Sequence, residues 1–356
     1  MRRLIYPSIA AIVLCGCSPP DADSIHADSL PLDSHVDIPF NFATSAVDPR
    51  AGDLQVNLEK MRGGGMDAAF FIVYVGQTER NAANNTQAVA DALMKFNAIH
   101  RMTNDLYPEL IGLATRADDI DRLAAEGRLV AAIGVENGFV IGDDIDLLDA
   151  YHALGARYMT LVHNGHNDIA DSAQPREALG DAAAEHGGVS DFGAEVIRRM
   201  NELGIMVDIS HASKAAALEA MDLSAAPVIA SHSSVRALTE HVRNLDDETL
   251  LRLAEDGGVV QIVAFASYLG DGESPTVADL VDHIDYAVDL IGIEHVGISS
   301  DFGGGGGIEG WNDASETPNV TAELVARGYS ADEIGMLWSG NLIRVWREAE
   351  RVAGSL

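Results

Sequence analysis

Short apolar runs alternate with longer amphipathic stretches along this chain from about residue 30 onward. Between most of the runs lie segments with helical periodicity, such as 86–102 and 192–204, and several end at the glycine that often follows a helix. Strands that alternate with helical crossovers predict a parallel sheet, and eight such strands close a (β/α)₈ barrel. The runs that we interpret as buried strands are 30–38, 67–75, 129–136, 157–163, 205–211, 227–232, 258–265 and 295–301.

A doubly wound open sheet is the alternative architecture. Such sheets usually bind nucleotides through a GxGxxG turn after the first strand or through a GxxxxGK[ST] loop. The first motif does not follow the first predicted strand, and the second occurs nowhere in the 356 residues. The length fits one large barrel domain. We therefore predict a single TIM-type (β/α)₈ barrel of the metal-dependent hydrolase type over residues 30–356.

The N-terminus reads as a targeting segment. Arg2 and Arg3 precede an apolar stretch that is too short to span a bilayer. It ends in Leu-Cys-Gly-Cys at 14–17, which resembles the lipobox of bacterial lipoproteins. This predicts a signal peptide over residues 1–16, lipidation at Cys17, a polar tether over 17–29 and a lipid-anchored, periplasm-facing protein of the bacterial envelope. An ordinary secretory signal that is cleaved elsewhere is the alternative.

The negative net charge of the chain limits the kinds of molecule that it is expected to bind. A formal net charge of −32 argues against nucleic-acid binding, which requires basic patches. The two cysteines are Cys15 and Cys17, so cleavage after residue 16 would leave one cysteine and no internal disulfide.

Metal-binding side chains stand at the ends of several predicted strands. Imidazoles and carboxylates are ligand types that suit zinc and similar divalent ions. A His-x-Asp pair on one strand sends both side chains to the same face, because the strand period is two. The carboxyl ends of barrel strands share one rim, so the residues should converge there. They are His35, Asp37, Glu136, His211 and His232, followed by Asp301 at the end of the last run.

Eight motifs along the chain resemble the membrane dipeptidase (renal dipeptidase, peptidase M19) family in order and spacing. The resemblance covers roughly residues 30 to 345 and implies a (β/α)₈ barrel that hydrolyses the single peptide bond of a dipeptide. It also implies two zinc ions or similar divalent ions and a hydroxide that bridges them. Members of the family often form homodimers, so the resemblance implies that a homodimer is possible. The motifs are DSHVDIP, GVENG, LVHNGHNDIADS, DFGAEVIRRMNELGIMVDISHAS, PVIASHSSVRAL, VRNLDDE, HVGISSDFGGG and GNLIRVW.

The resemblance also implies a division of ligands. His35 and Asp37 would hold one ion, His211 and His232 the other, and Glu136 would bridge them. Two neighbouring cations repel each other strongly, so a shared anionic ligand is physically reasonable.

Three further roles follow from the same resemblance. Asp301 would take a proton from the attacking water, pass it to the leaving amine and contact the free amino group of the substrate. His163 would stabilise the oxyanion of the tetrahedral intermediate. Arg243 would hold the terminal carboxylate of the dipeptide, with Arg236 as a competing candidate. Glycines 303–307 have no Lys, Ser or Thr among them to complete a phosphate site, which favours a rim loop beside the active site.

Two other functions stay open on the sequence. One is a different binuclear-metal hydrolase on the same barrel, such as a lactonase or deacylase. Those relatives typically carry His-x-His on the first strand, whereas this chain has His35-x-Asp37. The other is a lipid-anchored solute-binding protein without catalysis, which would not need five ligand-type residues and an acid at the end of a strand.

Overall fold

The computed structural model of the chain describes residues 21–270 and 274–356. Its strands are β1 Leu32–Asp37, β2 Ala68–Tyr74, β3 Ile111–Leu113, β4 Leu129–Glu136, β5 Ala156–Thr160, β6 Met206–Asp208, β7 Ile229–Ser233, β8 Val259–Val263 and β9 Val296–Ser299. Its α-helices are α1 Ala22–Asp28, α2 Leu58–Gly63, α3 Ala82–His100, α4 Ala117–Ala125, α5 Leu147–Ala153, α6 Asp191–Leu203, α7 Lys214–Leu223, α8 Asp247–Glu255, α9 Ala266–Leu269, α10 Val277–Ile291, α11 Pro318–Arg327, α12 Ala331–Gly335 and α13 Asn341–Ala353.

Eight parallel strands form a barrel in the order β1-β2-β4-β5-β6-β7-β8-β9. The two ends of the sheet meet where Val36 pairs in parallel with Phe302, just beyond β9, and the Asp37 N–H donates to the Phe302 carbonyl over 2.8 Å. All the strand pairs are parallel, so the carboxyl ends of the strands lie on one rim. The predicted TIM-type barrel is confirmed.

Each predicted apolar run overlaps one of the eight barrel strands, and β5 and β7 each extend one residue beyond their runs. The reason is plainest for β4, which is buried along its whole length and is therefore apolar at nearly every position. The sequence pattern does not predict β3, which pairs with β4 off the barrel path, Ile111 opposite Leu129. Three residues are too few to show a period.

The helices that return the chain to the next strand begin and end at the expected residues. Ser190 caps α6 by accepting a hydrogen bond from the Gly193 N–H over 2.9 Å. Gly204 ends the same helix in the left-handed conformation, with φ of 76°. At the amino-terminal end of the barrel, α13 packs against the first residues of the strands, and the ring of Trp346 lies 5.6 Å from that of Phe70.

The predicted tether needs a correction over residues 22–28. These residues form α1, capped by Asp21, whose side chain accepts from the Ser24 N–H. His26 is buried and its ring nitrogens contact Thr321 Oγ1 at 2.7 Å and the Gly64 carbonyl at 2.8 Å. The segment is therefore part of the folded domain. The predicted signal peptide and Cys17 lie outside the described residues. Within residues 21–270 and 274–356, no helix is both long and apolar enough to cross a bilayer.

Candidate metal centre

The five ligands and the acid Asp301 that are predicted from the sequence converge at the carboxyl rim of the barrel. His35 and Asp37 lie on β1, and Glu136 is the last residue of β4. His211 follows β6, His232 lies on β7, and Asp301 follows β9. These side chains, together with His163, supply three overlapping groups of potential ligand atoms, each within 4.8 Å of one another.

Glu136 stands at the centre of this cluster and presents one oxygen to each side. Its Oε2 lies 3.6 Å from His35 Nε2, which is itself 3.5 Å from Asp37 Oδ2. Its Oε1 lies 3.1 Å from His211 Nε2 and 3.3 Å from His232 Nε2. The cluster thus divides into two subsites that share one carboxylate, which is the arrangement that two neighbouring cations require.

The tautomers of two histidines can be assigned from their outer partners. The His211 Nδ1 lies 3.0 Å from Asn164 Oδ1, which can only accept, so Nδ1 carries the proton. Ser231 Oγ is 2.6 Å from Asp208 Oδ2 and 2.8 Å from His232 Nδ1. Because the Ser231 hydroxyl donates to the carboxylate, His232 Nδ1 must donate to Ser231. Both Nε2 atoms therefore direct bare lone pairs into the site.

Electrostatics keep those two imidazoles neutral. Burial lowers the pKa of His211 well below its usual range, and burial together with the nearby His35 lowers the pKa of His232 to about 3. Neutral imidazole is the form that ligates a metal. The Nε2 lone pairs of His211 and His232 and the Glu136 Oε1 therefore face one another at about hydrogen-bond distance. A cation bound between them would stabilise this arrangement.

The pKa of His35 shifts in the opposite direction from those of His211 and His232. Burial opposes its protonation, but the Glu136 and Asp37 carboxylates outweigh burial and raise the pKa of His35 well above its usual range. Its Nδ1 lies 2.9 Å from Tyr158 Oη, and its Nε2 has no hydrogen-bond partner among the described residues. The Asp37 Oδ1 is likewise buried without a partner in the described chain. Orphaned ligand atoms of this kind fit a metal site.

A buried carboxylate supports the ligand His232 from behind. Asp208 Oδ2 accepts from the hydroxyls of Ser231 at 2.6 Å and Thr160 at 2.5 Å. Its Oδ1 accepts from the backbone N–H groups of Ser210 at 3.0 Å and Ser231 at 2.9 Å. Asp208 therefore accepts four hydrogen bonds and fixes the Ser231 hydroxyl that orients His232. This role of Asp208 was not predicted from the sequence, although Asp208 lies three residues before His211.

Two of the site residues have strained backbone. His211 and Asp301 adopt positive φ, 66° and 57°, which is uncommon for residues with a Cβ. Gly304 of the glycine run approaches Asp301 and Asp37 closely, since a Cβ there would collide with Asp301 Oδ1 and Asp37 Oδ2. The run thus lies against the site, as predicted. A side chain at 304 would force one of these carboxylates to move.

Asp301 has an unusual proton affinity. Burial raises the pKa of Asp301 well above its usual range, and the nearby Asp37 and Glu136 add to the effect against the opposing His35. Its Oδ1 is 3.9 Å from His35 Nε2. A carboxyl that holds a proton in this environment suits general acid–base work.

The cluster opens into a cavity of about 480 Å³. His163 lines it, with Nε2 at 3.7 Å from Glu136 Oε1 and Nδ1 at 3.4 Å from Tyr74 Oη. Burial lowers the pKa of His163, so the ring is neutral. Tyr74 and Lys95 also line the cavity and were not predicted from the sequence, where Tyr74 is one residue of an apolar run and Lys95 is one polar position on a helix.

The structure distinguishes between the two arginine candidates. Arg236 donates two hydrogen bonds to backbone carbonyls, from Nε to His241 and from Nη2 to Val242. Arg243 is buried, donates from Nη2 to the His232 carbonyl over 3.3 Å, and has no partner for Nε among the described residues. Its Cζ lies 5.5 Å from the ring centre of Tyr268, which lines the main cavity. Arg236 and Arg243 both line a small adjoining cavity with His211, so the two arginines differ in their hydrogen bonds and not in the cavity that they line.

Comparison with known proteins adds to this picture. The "Dipeptidase aclJ" of Aspergillus oryzae is 36% identical over 309 residues, which is 85% of this chain and 72% of that protein. The "Dipeptidase verJ" of Clonostachys rogersoniana is 32% identical over 361 residues, 98% of this chain and 91% of that protein. The crystal structure of the probable dipeptidase PvdM from Pseudomonas aeruginosa has a TM-score of 0.88 at 31% identity and covers 93% of this chain and 98% of that one.

Histidines and carboxylates that cluster at the carboxyl rim of a (β/α)₈ barrel are typical of metal-dependent hydrolases. The family model described as membrane dipeptidase (peptidase family M19) matches residues 20–356. The chain therefore belongs to the membrane dipeptidase family and is a metallopeptidase that hydrolyses peptide bonds. The family predicted from the sequence is confirmed.

Proposed function

We propose that this protein is a zinc-dependent dipeptidase with two divalent ions per chain. The observation that carries the proposal is the position of Glu136, whose two oxygens face two separate sets of ligand atoms. His35, Asp37 and Glu136 Oε2 would hold one ion. His211, His232 and Glu136 Oε1 would hold the other. When bound, such ions lower the pKa of a coordinated water and polarise the peptide carbonyl.

The residues around the ions would move and hold protons. Asp301 is buried beside Asp37 and His35, where its carboxylate would take a proton from the attacking water and pass it to the leaving amine. In its ionised form the same carboxylate can accept a hydrogen bond from the free amino group of the substrate. The left-handed backbone at Asp301 fixes the carboxyl at the mouth of the ligand cluster.

His163 would stabilise the negative charge that develops on the carbonyl oxygen. It lines the cavity and contacts Tyr74 Oη through Nδ1, while Nε2 faces the cluster. A donor that is already in place costs little reorganisation when charge develops. We assign the terminal carboxylate of the dipeptide to Arg243, because its buried Nε has no partner in the described chain and Arg236 is engaged with the backbone.

A substrate comparison tests the proposal. The free amine and the free carboxylate would be held at a fixed separation, so the enzyme should prefer dipeptides. Purified, metal-loaded protein should hydrolyse L,L- and L,D-dipeptides and should act far more slowly on the matching tripeptide and on the C-terminal amide. Equal rates on all three would exclude the two-ended clamp. Turnover of lactones or N-acyl amino acids in place of dipeptides would assign the site to another binuclear hydrolase.

We also propose that the protein is a lipoprotein of the bacterial envelope, anchored at Cys17. The Leu-Cys-Gly-Cys sequence at 14–17 supports this, and α1 begins at Ala22, so the folded domain would stand close to the membrane. Mass spectrometry of the mature N-terminus, with Cys17→Ser as the control, tests the anchor. A diacylated Cys17 is expected, and an unmodified N-terminus elsewhere would contradict it.

A further inference from the structure

A lysine lies buried in the wall of the active-site cavity. Lys95 belongs to α3 and is only 4% exposed. Within the described residues its ammonium group has neither a hydrogen-bond partner nor an ion pair. It lies over two aromatic rings, 5.0 Å from the centre of Phe40 and 5.5 Å from that of Tyr74. The side chain lines the main cavity, so its ammonium group remains accessible to a ligand there.

The aromatic rings offset only part of the cost of burial. A cation over an aromatic face is stabilised less strongly than one that donates a hydrogen bond to a carboxylate. Burial lowers the pKa of Lys95, and the carboxylates of Asp37 and Glu136 act in the opposite direction. Once divalent ions occupied the ligand cluster, those carboxylates would be neutralised. The ammonium group would then be available to another anion.

The topology separates Lys95 from Arg243. Helix α3 follows β2, and Lys95 contacts Tyr74 at the end of that strand. Arg243 lies in the segment after β7. Around the barrel, β2 and β7 are separated by β4, β5 and β6 on one side and by β1, β9 and β8 on the other, so they stand opposite each other. Lys95 lines the main cavity and Arg243 lines the small adjoining one, so a carboxylate bound by one is not expected to reach the other.

Among the described residues that line the main cavity, Lys95 is the sole lysine or arginine. We propose that Lys95 is a specificity-determining residue that binds a second substrate carboxylate, so that dipeptides with an acidic side chain are preferred. The proposal rests on the proposed function, in which Arg243 holds the terminal carboxylate. A dipeptide that contains Glu or Asp carries the two carboxylates that two opposed cations require. A charge-assisted hydrogen bond to an ammonium group would select such substrates.

The test compares charged and neutral substrates of the same shape. Metal-loaded wild-type protein is assayed with Glu-Ala against Gln-Ala, and with Ala-Glu against Ala-Gln. We expect kcat/KM to be at least about 10-fold higher for the acidic member of one pair, from the usual strength of a charged hydrogen bond. In Lys95→Met that ratio should fall to about one, because kcat/KM falls mainly for the acidic dipeptide.

The controls separate the two proposals. Arg122→Met removes one positive charge from an exposed side chain of α4 that pairs with Asp119 and Glu126, and it should keep the preference. If Lys95→Met slows acidic and neutral dipeptides equally while the C-terminal amide is unaffected, Lys95 binds the terminal carboxylate and the inference is wrong. It is also wrong if the wild type shows no acidic preference. A wild type that hydrolyses none of the dipeptides would instead contradict the proposed function.

Discussion

The Nε2 atoms of His211 and His232 lie 2.9 Å apart, and the outer hydrogen bonds of both rings leave no proton between them. Asn164 and the Ser231–Asp208 pair each require the Nδ1 proton, so the two lone pairs point at each other and at Glu136. Such an arrangement is unfavourable unless a cation binds there. This relationship supports the rim of the barrel as a candidate metal site on the basis of geometry.

Metal affinity should increase with pH. The raised pKa of His35 means that the metal-free protein carries a proton on this ligand near neutral pH, and the proton must leave when the metal binds. His211 and His232 are already neutral and should release none. We expect affinity to increase roughly tenfold per pH unit until the pKa of His35 is passed.

Calorimetric titrations in buffers of different ionisation enthalpy would count the released protons. Asp301→Asn serves as the control, because Asp301 is the other group in the cluster whose pKa is raised. The pH dependence should survive in this variant. Its disappearance would assign the released proton to Asp301, and an affinity that is independent of pH would contradict the account of His35.

The Asp208 side chain acts on His232 only through Ser231, yet substitutions of Asp208 should weaken metal binding. Asp208→Asn places a donor where Ser231 and Thr160 both donate, so the orientation of His232 should be lost. Loss of such a supporting carboxylate typically lowers metal affinity by about 10- to 100-fold. Competition with a chromophoric chelator measures it. Ser231→Ala should show a smaller loss of the same kind, and unchanged affinity in both variants would refute the positioning role.

Asp301→Asn and Glu136→Gln should separate proton transfer from metal binding. Asp301→Asn should reduce kcat on the order of 10²-fold or more, because a general acid–base group is lost, while metal content stays near that of the parent. Glu136→Gln should instead lose metal, because the two ions no longer share an anion. Elemental analysis beside initial rates distinguishes the two. Loss of metal from Asp301→Asn would make Asp301 a ligand.

A methyl group at residue 304 should impair catalysis through steric contact alone. Gly304→Ala would place a Cβ against Asp301 Oδ1 and Asp37 Oδ2, so one of the carboxylates must move. We expect a clear loss of kcat. Gly335→Ala is the matched control, since a Cβ there meets no atom within 4 Å, and it should retain full activity. Equal activities would mean that the glycine run is free to move away.

The sequence predicts the barrel strands and the ligand cluster well for a physical reason. Strands that are buried on both faces are apolar runs, as in β4, and parallel strands bring their last residues together at one rim. What it could not predict depends on tertiary contacts. Lys95 is one polar position on a helix until the fold turns it into the cavity, and α1 reads as a polar linker until His26 contacts Thr321 and Gly64.

Titration of metal into metal-free protein, with dipeptide hydrolysis as the readout, tests the central claim most directly. Zinc or a similar divalent ion should restore activity, and the rate should reach its plateau at about two equivalents per chain, as in other binuclear sites. The same titration of Glu136→Gln should give little activity at any ratio. Full turnover of dipeptides by protein that elemental analysis finds free of metal, or in the presence of strong chelators, would contradict the account.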